Sequence, residues 1–380
     1  MTQLADTVVV PPIHRAGHAE MRIAIDAREL AGRPTGVGRY VTEILRAWSD
    51  LAGAHTHEFV LCSTGPVPQP VSLRAEQVIA DGTGTVWEQF ALPRLVARAG
   101  ADVLFAPGYT GPLLSRVPMV ATIHDVSFAA HPEWFSWREG LRRRVLTRWT
   151  TRKASRIITV SDFSKQEIVR HLGASETKIE VIYSGVTPIA PQAHSHADGG
   201  DTVLFVGSLF NRRHIPEVIA GFEQLAARHP STQLVLVGDN RTRPHIDIDR
   251  VIAKSPVRDR IHARAYVSDD ELATLYQRAR AFVFLSDYEG FAMTPLDALG
   301  AGIPVVLLAT DVAREIYGPA ATYVDRPDPA SIAEGLERAL FDDTERSRVL
   351  TAAAAQLARY SWRECAQRTL QVLLACARHH

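Results

Sequence analysis

Two doubly wound α/β domains, each built on a parallel sheet and facing the other across a cleft, are the architecture this sequence predicts. Short apolar, β-branched runs alternate with helical patterns along its 380 residues, as in stacked βαβ units. The runs are too uniformly apolar to leave one sheet face in water, so helices must cover both faces. The alternation breaks once, between Pro188 and Asp201, where two prolines and two glycines sit among residues unable to build a core.

Residues 1–20 read as a loosely held extension. Their Val8-Val-Val10 run lacks the charged start and long apolar stretch of a secretory signal. The first domain, 21–187, is expected to carry strands at 21–25, 59–62, 103–106, 119–123, 157–160 and 179–182, with helices at 38–48 and 164–172. After a linker, 188–200, the second domain, 201–360, should place strands at 202–206, 233–237, 262–266, 281–285 and 303–308. Helices are expected there at 215–229, at 270–280 and from 329 onward. A last helix in 361–380 is expected to cross back to the first domain.

Composition narrows the function. Apolar residues make up 46% of the chain, and 42 basic side chains balance 42 acidic ones, so neither disorder nor a global field for nucleic acid is indicated. Cys62, Cys365 and Cys376 share no metal-ligand spacing and are odd in number, which argues against a disulfide framework and for a cytoplasmic protein.

In open α/β sheets ligands sit beyond the carboxyl ends of the strands, so the residues that follow each strand carry the chemistry. After 202–206 come Gly207 and Ser208, where backbone can approach a ligand, then Arg212 and Arg213, forked permanent cations suited to phosphate. A basic pair in a loop can equally be solvated. After 281–285 come Glu289, Gly290, Phe291, Ala292, Met293, Thr294, Pro295 and, eight positions from the first acid, Asp297. Thr294 suits an N-cap and Pro295 the first helical turn, so a helix start with unpaired N–H groups would face the ligand. The bland reading makes Thr294 and Asp297 a capping box and Glu289 a solvated acid.

In the first domain, Gly36 and Gly38 lie between a strand and a helix but lack the third glycine and acid of a dinucleotide fingerprint. His124, at a strand end beside Asp125, is either a structural hydrogen-bonder or part of the site. Residues 134–156 are aromatic and basic with one acid, Glu139. They form either an interfacial helix on anionic lipid or a surface helix that packs Leu141, Val145, Leu146 and Trp149 inward and keeps its arginines wet. Asp247-Ile-Asp249 lies in a charged, helix-like stretch and is assigned to the surface, and no other metal site is suggested.

The segment Glu289 to Asp297 resembles the E-x7-E signature of the retaining GT-B glycosyltransferases of family four. Thr35-Gly-Val-Gly-Arg-Tyr40, Thr122-Ile-His-Asp-Val126, Ile182-Tyr-Ser-Gly-Val186 and Val206-Gly-Ser208 extend that resemblance over nearly the whole chain from Met21. It implies a GT-B fold and transfer of a hexose from a nucleoside diphosphate sugar to an acceptor hydroxyl in surface polysaccharide or glycoconjugate synthesis. GDP-mannose is the first expectation for the donor. By position it implies that Arg212 and Arg213 bind the leaving diphosphate, Glu289 meets the sugar, Asp297 meets the ribose, and His124 lies near the transferred sugar. Gly36 and Gly38 then approach the diphosphate from across the cleft, and the amides of Gly290 to Thr294 border the donor. Asp297 is one methylene shorter than the usual Glu, and Ala292-Met293-Thr294 stands where the family often has Gly-Leu-Pro. The resemblance also implies catalysis with no metal or other cofactor. The expected partners are a nucleotide-sugar donor and a sugar or lipid-linked acceptor, with peripheral membrane contact through 134–156 and no nucleic acid. A nucleotide-sugar epimerase and a non-catalytic nucleotide-sugar binder remain as alternatives.

Overall fold

A computed structural model describes residues 20–32, 35–70, 72–187 and 201–378. The expected extension, up to residue 19, and the linker 188–200 lie outside the described residues. Two parallel sheets organise the rest. In the first, β1 (Arg22–Asp26), β2 (Glu58–Ser63), β3 (Ala75–Ile79), β4 (Val103–Ala106), β5 (Met119–Thr122), β6 (Arg156–Thr159) and β7 (Ile179–Val181) run in the order β3-β2-β1-β4-β5-β6-β7. In the second, β8 (Thr202–Val206), β9 (Gln233–Val237), β10 (Ile261–Arg264), β11 (Ala279–Phe284), β12 (Val305–Leu308) and β13 (Thr322–Val324) run in the order β10-β9-β8-β11-β12-β13. Two edge strands were not legible as apolar runs. β3, Ala-Glu-Gln-Val-Ile, is only half-buried, and β13 has three residues.

The central strands β1, β4, β5, β8 and β11 are almost wholly buried, as sheets covered on both faces require. Strand order reverses between β1 and β4 in one sheet and between β8 and β11 in the other. These are the switch points where crossovers diverge and leave a crevice. The last helix, Trp362–Arg378, packs on the first domain. Trp48 Nε1 donates to the Ala366 carbonyl at 2.8 Å, and Trp362, Cys365, Leu370 and Leu373 share a core with Ile23, Tyr40 and Phe105.

Polar and backbone contacts fix the domains against each other. Glu315 of the second domain accepts from the N–H groups of Asp162 and Phe163, both at 2.8 Å, at the start of helix Asp162–Leu172. A helix N-terminus favours that carboxylate. Ser161 Oγ donates to the Gly290 carbonyl at 2.6 Å, and a Cβ on Gly290 would fall onto the carbonyl oxygen of His124, far inside van der Waals contact. Gly290→Ala is therefore expected to destabilise the protein by about 1–3 kcal/mol through forced separation of the two backbones. Urea unfolding of the variant against wild type measures this, and an unchanged midpoint would show that the contact is not tight.

Candidate active site

A cleft of about 1750 Å³ opens where the carboxyl ends of both sheets face each other. In the second domain the two strands at the switch point supply its main groups. Gly207 follows β8 and Gly238 follows β9, with φ of 145° and 151°, and a Cβ on Gly238 would collide with the Gly207 carbonyl. Only glycine permits backbones this close, and the result is a cleft floor without side chains. Ser208 lines the cleft beside it, and its carbonyl accepts from Arg213 Nη1 at 2.8 Å.

Glu289 follows β11. Its Oε1 accepts from Arg213 Nε at 2.9 Å, from Arg213 Nη2 at 2.7 Å and from Ser286 Oγ at 2.9 Å. None of these three bonds uses Oε2. The Arg213 guanidinium also lies 4.6 Å from the Phe284 ring centre. Burial holds its pKa below the usual value in spite of Glu289, yet an arginine remains protonated at any working pH. Arg212 is held differently, 4.5 Å from the ring of Phe210 and 5.7 Å from that of Trp134. Its Nε is buried with no hydrogen-bond partner, 3.8 Å from Glu289 Oε1. A permanent cation with an unfilled donor at a cleft wall is prepared for an anion.

Gly290, Phe291, Ala292, Met293 and Thr294 border the cleft, and a helix spans Met293–Gly300. Thr294 is not its cap. The helix starts behind Ala292, whose left-handed backbone (φ 60°, ψ 84°) offers no capping side chain, so the capping box of the bland reading, Thr294 with Asp297, does not form. A left-handed alanine carries roughly 1–2 kcal/mol of strain that glycine would not. Ala292→Gly is thus expected to raise the melting temperature or leave it unchanged, and calorimetry showing a clear fall would refute the strain argument. Asp297 is 4% exposed and is not among the residues that line the cleft. Arg39 of the first domain grips both its oxygens, at 2.5 and 2.8 Å.

Across the cleft, Thr35 caps helix Gly36–Ser49 by accepting from Gly38 N at 3.0 Å. Gly36 lines the cleft, while Gly38 is pressed against the Glu29 carbonyl, where no Cβ would fit. Two helix starts thereby border one cavity, each with N–H groups suited to an anion. His124 also lines it. The ring is bonded not to Asp125 but to the Pro107 carbonyl, at 2.8 Å from Nε2, and lies edge-on to Tyr40. A carbonyl only accepts, so Nε2 carries the proton and the neutral ring keeps a lone pair on Nδ1. Asp125 instead accepts from Tyr109 Oη at 2.6 Å and Ser127 N at 2.8 Å. Burial opposes its charge, but Arg212 and these bonds hold its pKa below the usual range.

Burial likewise lowers the His124 pKa, against the bond to Pro107. A depressed folded pKa means that the unfolded chain takes up the proton more readily. The neutral ring's contribution to stability is therefore complete above the unfolded value of about 6.5 and is lost as pH falls through the folded one. His124→Gln is expected to flatten the decline in melting temperature from neutral pH to pH about 5. An identical decline in wild type and variant would remove His124 as the cause.

Sequence reasoning did not assign Arg39, Tyr109 or the segment 240–244, all of which line the cleft. Arg39 lies inside the quoted Thr35–Tyr40 motif, but its partner is 258 positions away and no local pattern reveals it. The aspartates at 247 and 249 are exposed, and Asp247 caps helix Ile248–Lys254.

Residues 34–188 match the family model described as Glycosyltransferase Family 4, and residues 186–356 match the one described as Glycosyl transferases group 1. A glycogen synthase of Mycobacterium tuberculosis (strain CDC 1551 / Oshkosh) is 29% identical over 269 residues, which span 69% of this chain and 64% of that protein. The O-antigen chain mannosyltransferase B of Escherichia coli is 26% identical over 66% of this chain and 68% of its own length. A GDP-mannose:cellobiosyl-diphosphopolyprenol alpha-mannosyltransferase of Xanthomonas oryzae pv. oryzae (strain PXO99A) is 26% identical over 67% of this chain and 66% of its own. Among solved structures, Anabaena Alr3699/HepE in complex with UDP-glucose superposes with a TM-score of 0.74 at 17% identity, covering 94% of this chain and 100% of that one. At that identity the likeness is one of fold. With both halves of the chain matched in order and two parallel-sheet domains enclosing the cleft, the protein belongs to the group 1 glycosyltransferases of the GT-B fold.

Proposed function

We propose that the chain is a retaining transferase that moves a hexose, mannose from GDP-mannose in the first instance, to an acceptor hydroxyl in polysaccharide or glycoconjugate assembly. The observation that carries this is the arginine pair beside the glycine floor: Arg213 bonded to Glu289, and Arg212 with a buried, unfilled Nε. Departure of the nucleoside diphosphate is the hard step. Charge grows on its phosphate oxygens as the bond to the sugar breaks, and preorganised cations act most where charge grows. One such contact contributes on the order of 3 kcal/mol.

In this reading the diphosphate lies over Gly207 and Ser208, between Arg212, Arg213 and the two helix starts. The acceptor oxygen bonds to the anomeric carbon on the face the diphosphate leaves. The acceptor's proton passes to a phosphate oxygen of the departing group, so no protein base is required. Glu289 orients the sugar, His124 borders it from the first domain, and no metal ion enters the sequence of steps. Mannose and a lipid-linked acceptor are supported by the names of the E. coli and Xanthomonas relatives. The place of work is cytoplasmic, at the inner face of the membrane when the acceptor is lipid-linked.

Thermal-shift screening of nucleotide sugars, followed by turnover with the stabilising donors in the presence of EDTA, tests the reading. A GDP-sugar is expected to stabilise most and to be consumed without added metal, with the product keeping the donor's anomeric configuration by NMR. A panel with no stabilising member would sink the proposal, and isomerised sugar formed from donor alone would replace it with an epimerase.

A further inference from the structure

Helix Trp137–Lys153 is buried by the wrong residues. Gly140, Thr147, Thr150 and Thr151 face inward, while Trp137, Leu141, Val145 and Trp149 recur every fourth residue along one outer stripe. These four are 71%, 46%, 44% and 52% exposed, which overturns the inward packing of Leu141, Val145 and Trp149 that the sequence left open. A soluble helix ordinarily does the reverse.

The apolar surface continues beyond the helix. Arg142 Nη1 donates to Thr85 Oγ1 at 2.7 Å, which brings Val86 and, one turn on, Phe90 alongside. Leu113 N donates to Gln89 Oε1 at 2.9 Å and Gly111 N to Thr150 Oγ1 at 3.3 Å, so the loop bearing Leu114 adjoins both segments. Val86, Phe90 and Leu114 are 70%, 53% and 68% exposed. Seven of the nine large exposed apolar side chains among the described residues thus fall on three adjoining segments.

Charge along this helix is almost wholly of one sign, seven basic side chains against one acid. Arg138 lies 5.5 Å from the Trp137 ring and Arg152 lies 5.2 Å from that of Trp149, so each end of the stripe is a tryptophan with an arginine against it. Arg148 is exposed between them. The helix has a single acid, Glu139, and Arg143 holds it at 2.8 Å. The chain as a whole has zero formal charge, so this is a local concentration of cations.

We propose that this face rests on a membrane surface that carries anionic lipid. Aromatic rings with adjacent arginines suit the headgroup layer, with apolar side chains entering the acyl boundary and cations meeting lipid phosphates. No helix among the described residues is long and apolar enough to cross a membrane, so the contact lies on the surface. Arg142, Arg143, Leu146 and Thr147 of the same helix line the cleft. The bilayer therefore adjoins the first-domain wall, and an acceptor anchored in lipid reaches the site from that side. The inference rests on the glycosyl-transfer reading for the acceptor alone; the surface itself stands on its exposure and charge.

Sedimentation of the full chain with vesicles tests it. Wild type is expected to pellet with phosphatidylcholine mixed with phosphatidylglycerol, not with phosphatidylcholine alone, and to be released by high salt. Arg148→Glu and the double variant Trp137→Ser/Trp149→Ser should each lower the partition about tenfold or more. Both should keep the thermal shift given by GDP-mannose or whichever nucleotide sugar stabilises wild type. Equal pelleting with both vesicle types, variants that bind like wild type, or variants that instead dissolve a dimer in light scattering would each overturn the proposal. Vesicle binding by a protein that answers no nucleotide sugar would uphold this surface and remove the glycosyl-transfer reading.

Discussion

Arg213→Ala is expected to lower kcat by about 10²–10³-fold while the protein stays folded, the loss seen when one preorganised donor to a developing oxyanion is removed. The geometry makes the prediction specific. Arg213 is nearly enclosed, and its bonds to Glu289 and to the Ser208 carbonyl fix the guanidinium at the end of β8, above the Gly207 backbone. It cannot swing out as a surface arginine could. Glu289→Gln keeps an oxygen that can accept from Arg213 and Ser286 but removes the charge, so its effect should be smaller on donor binding than on turnover. Because Arg213 and Glu289 hold each other, the double variant should lose less than the product of the single losses. Circular dichroism and thermal melts show whether the variants are folded. Turnover within a few-fold of wild type for both single variants would remove these residues from their assigned roles.

How much of this was readable beforehand differs from strand to strand. β4, β8 and β9 coincide with their apolar runs because each is buried on both faces, which leaves the sequence no freedom to be polar. β3 is an edge strand, half in water, and its Ala-Glu-Gln-Val-Ile carries no such constraint. The site divides along similar lines. Positions that follow a strand, such as Gly207, Arg213 and Glu289, are placed by the strand itself, and the structure gathers them within one wall of the cleft. Contacts made by long-range closure leave no local trace. Nothing near His124 announces that its ring bonds the Pro107 carbonyl, and nothing near Asp297 announces Arg39. Helix 137–153 is illegible for another reason. Its inward face is threonine and glycine, so any reading that sends the largest apolar side chains inward assigns the wrong face.

Arg39→Ala should be the most destabilising single change at the cleft, lowering stability by about 3–5 kcal/mol. Asp297 is buried, both of its oxygens are taken by Arg39, and burial alone pushes its carboxyl pKa up. On the other side, burial works against the Arg39 charge, but the hydrogen bonds and charge of Asp297 outweigh it and hold the Arg39 pKa above its usual value. Removing the cation strands a carboxylate that has lost its water. Asp297→Asn leaves instead a partly exposed guanidinium that solvent can reach, so it should cost only about 1–2 kcal/mol. The double variant Arg39→Ala/Asp297→Asn should recover much of the loss of Arg39→Ala, since neither charge is then left alone. Because the pair joins the two domains, urea unfolding of Arg39→Ala should also become less cooperative. The same variants decide what Asp297 does for the donor. If its carboxylate reaches the ribose, Asp297→Asn raises the donor KM beyond any effect of Arg39→Ala. If it acts only by holding Arg39 at the cleft wall, the two variants raise KM equally and the double variant no further. The second result is the one this geometry favours, because the Asp297 carboxylate is 4% exposed behind Arg39, is not among the residues that line the cleft, and has one methylene less reach than glutamate.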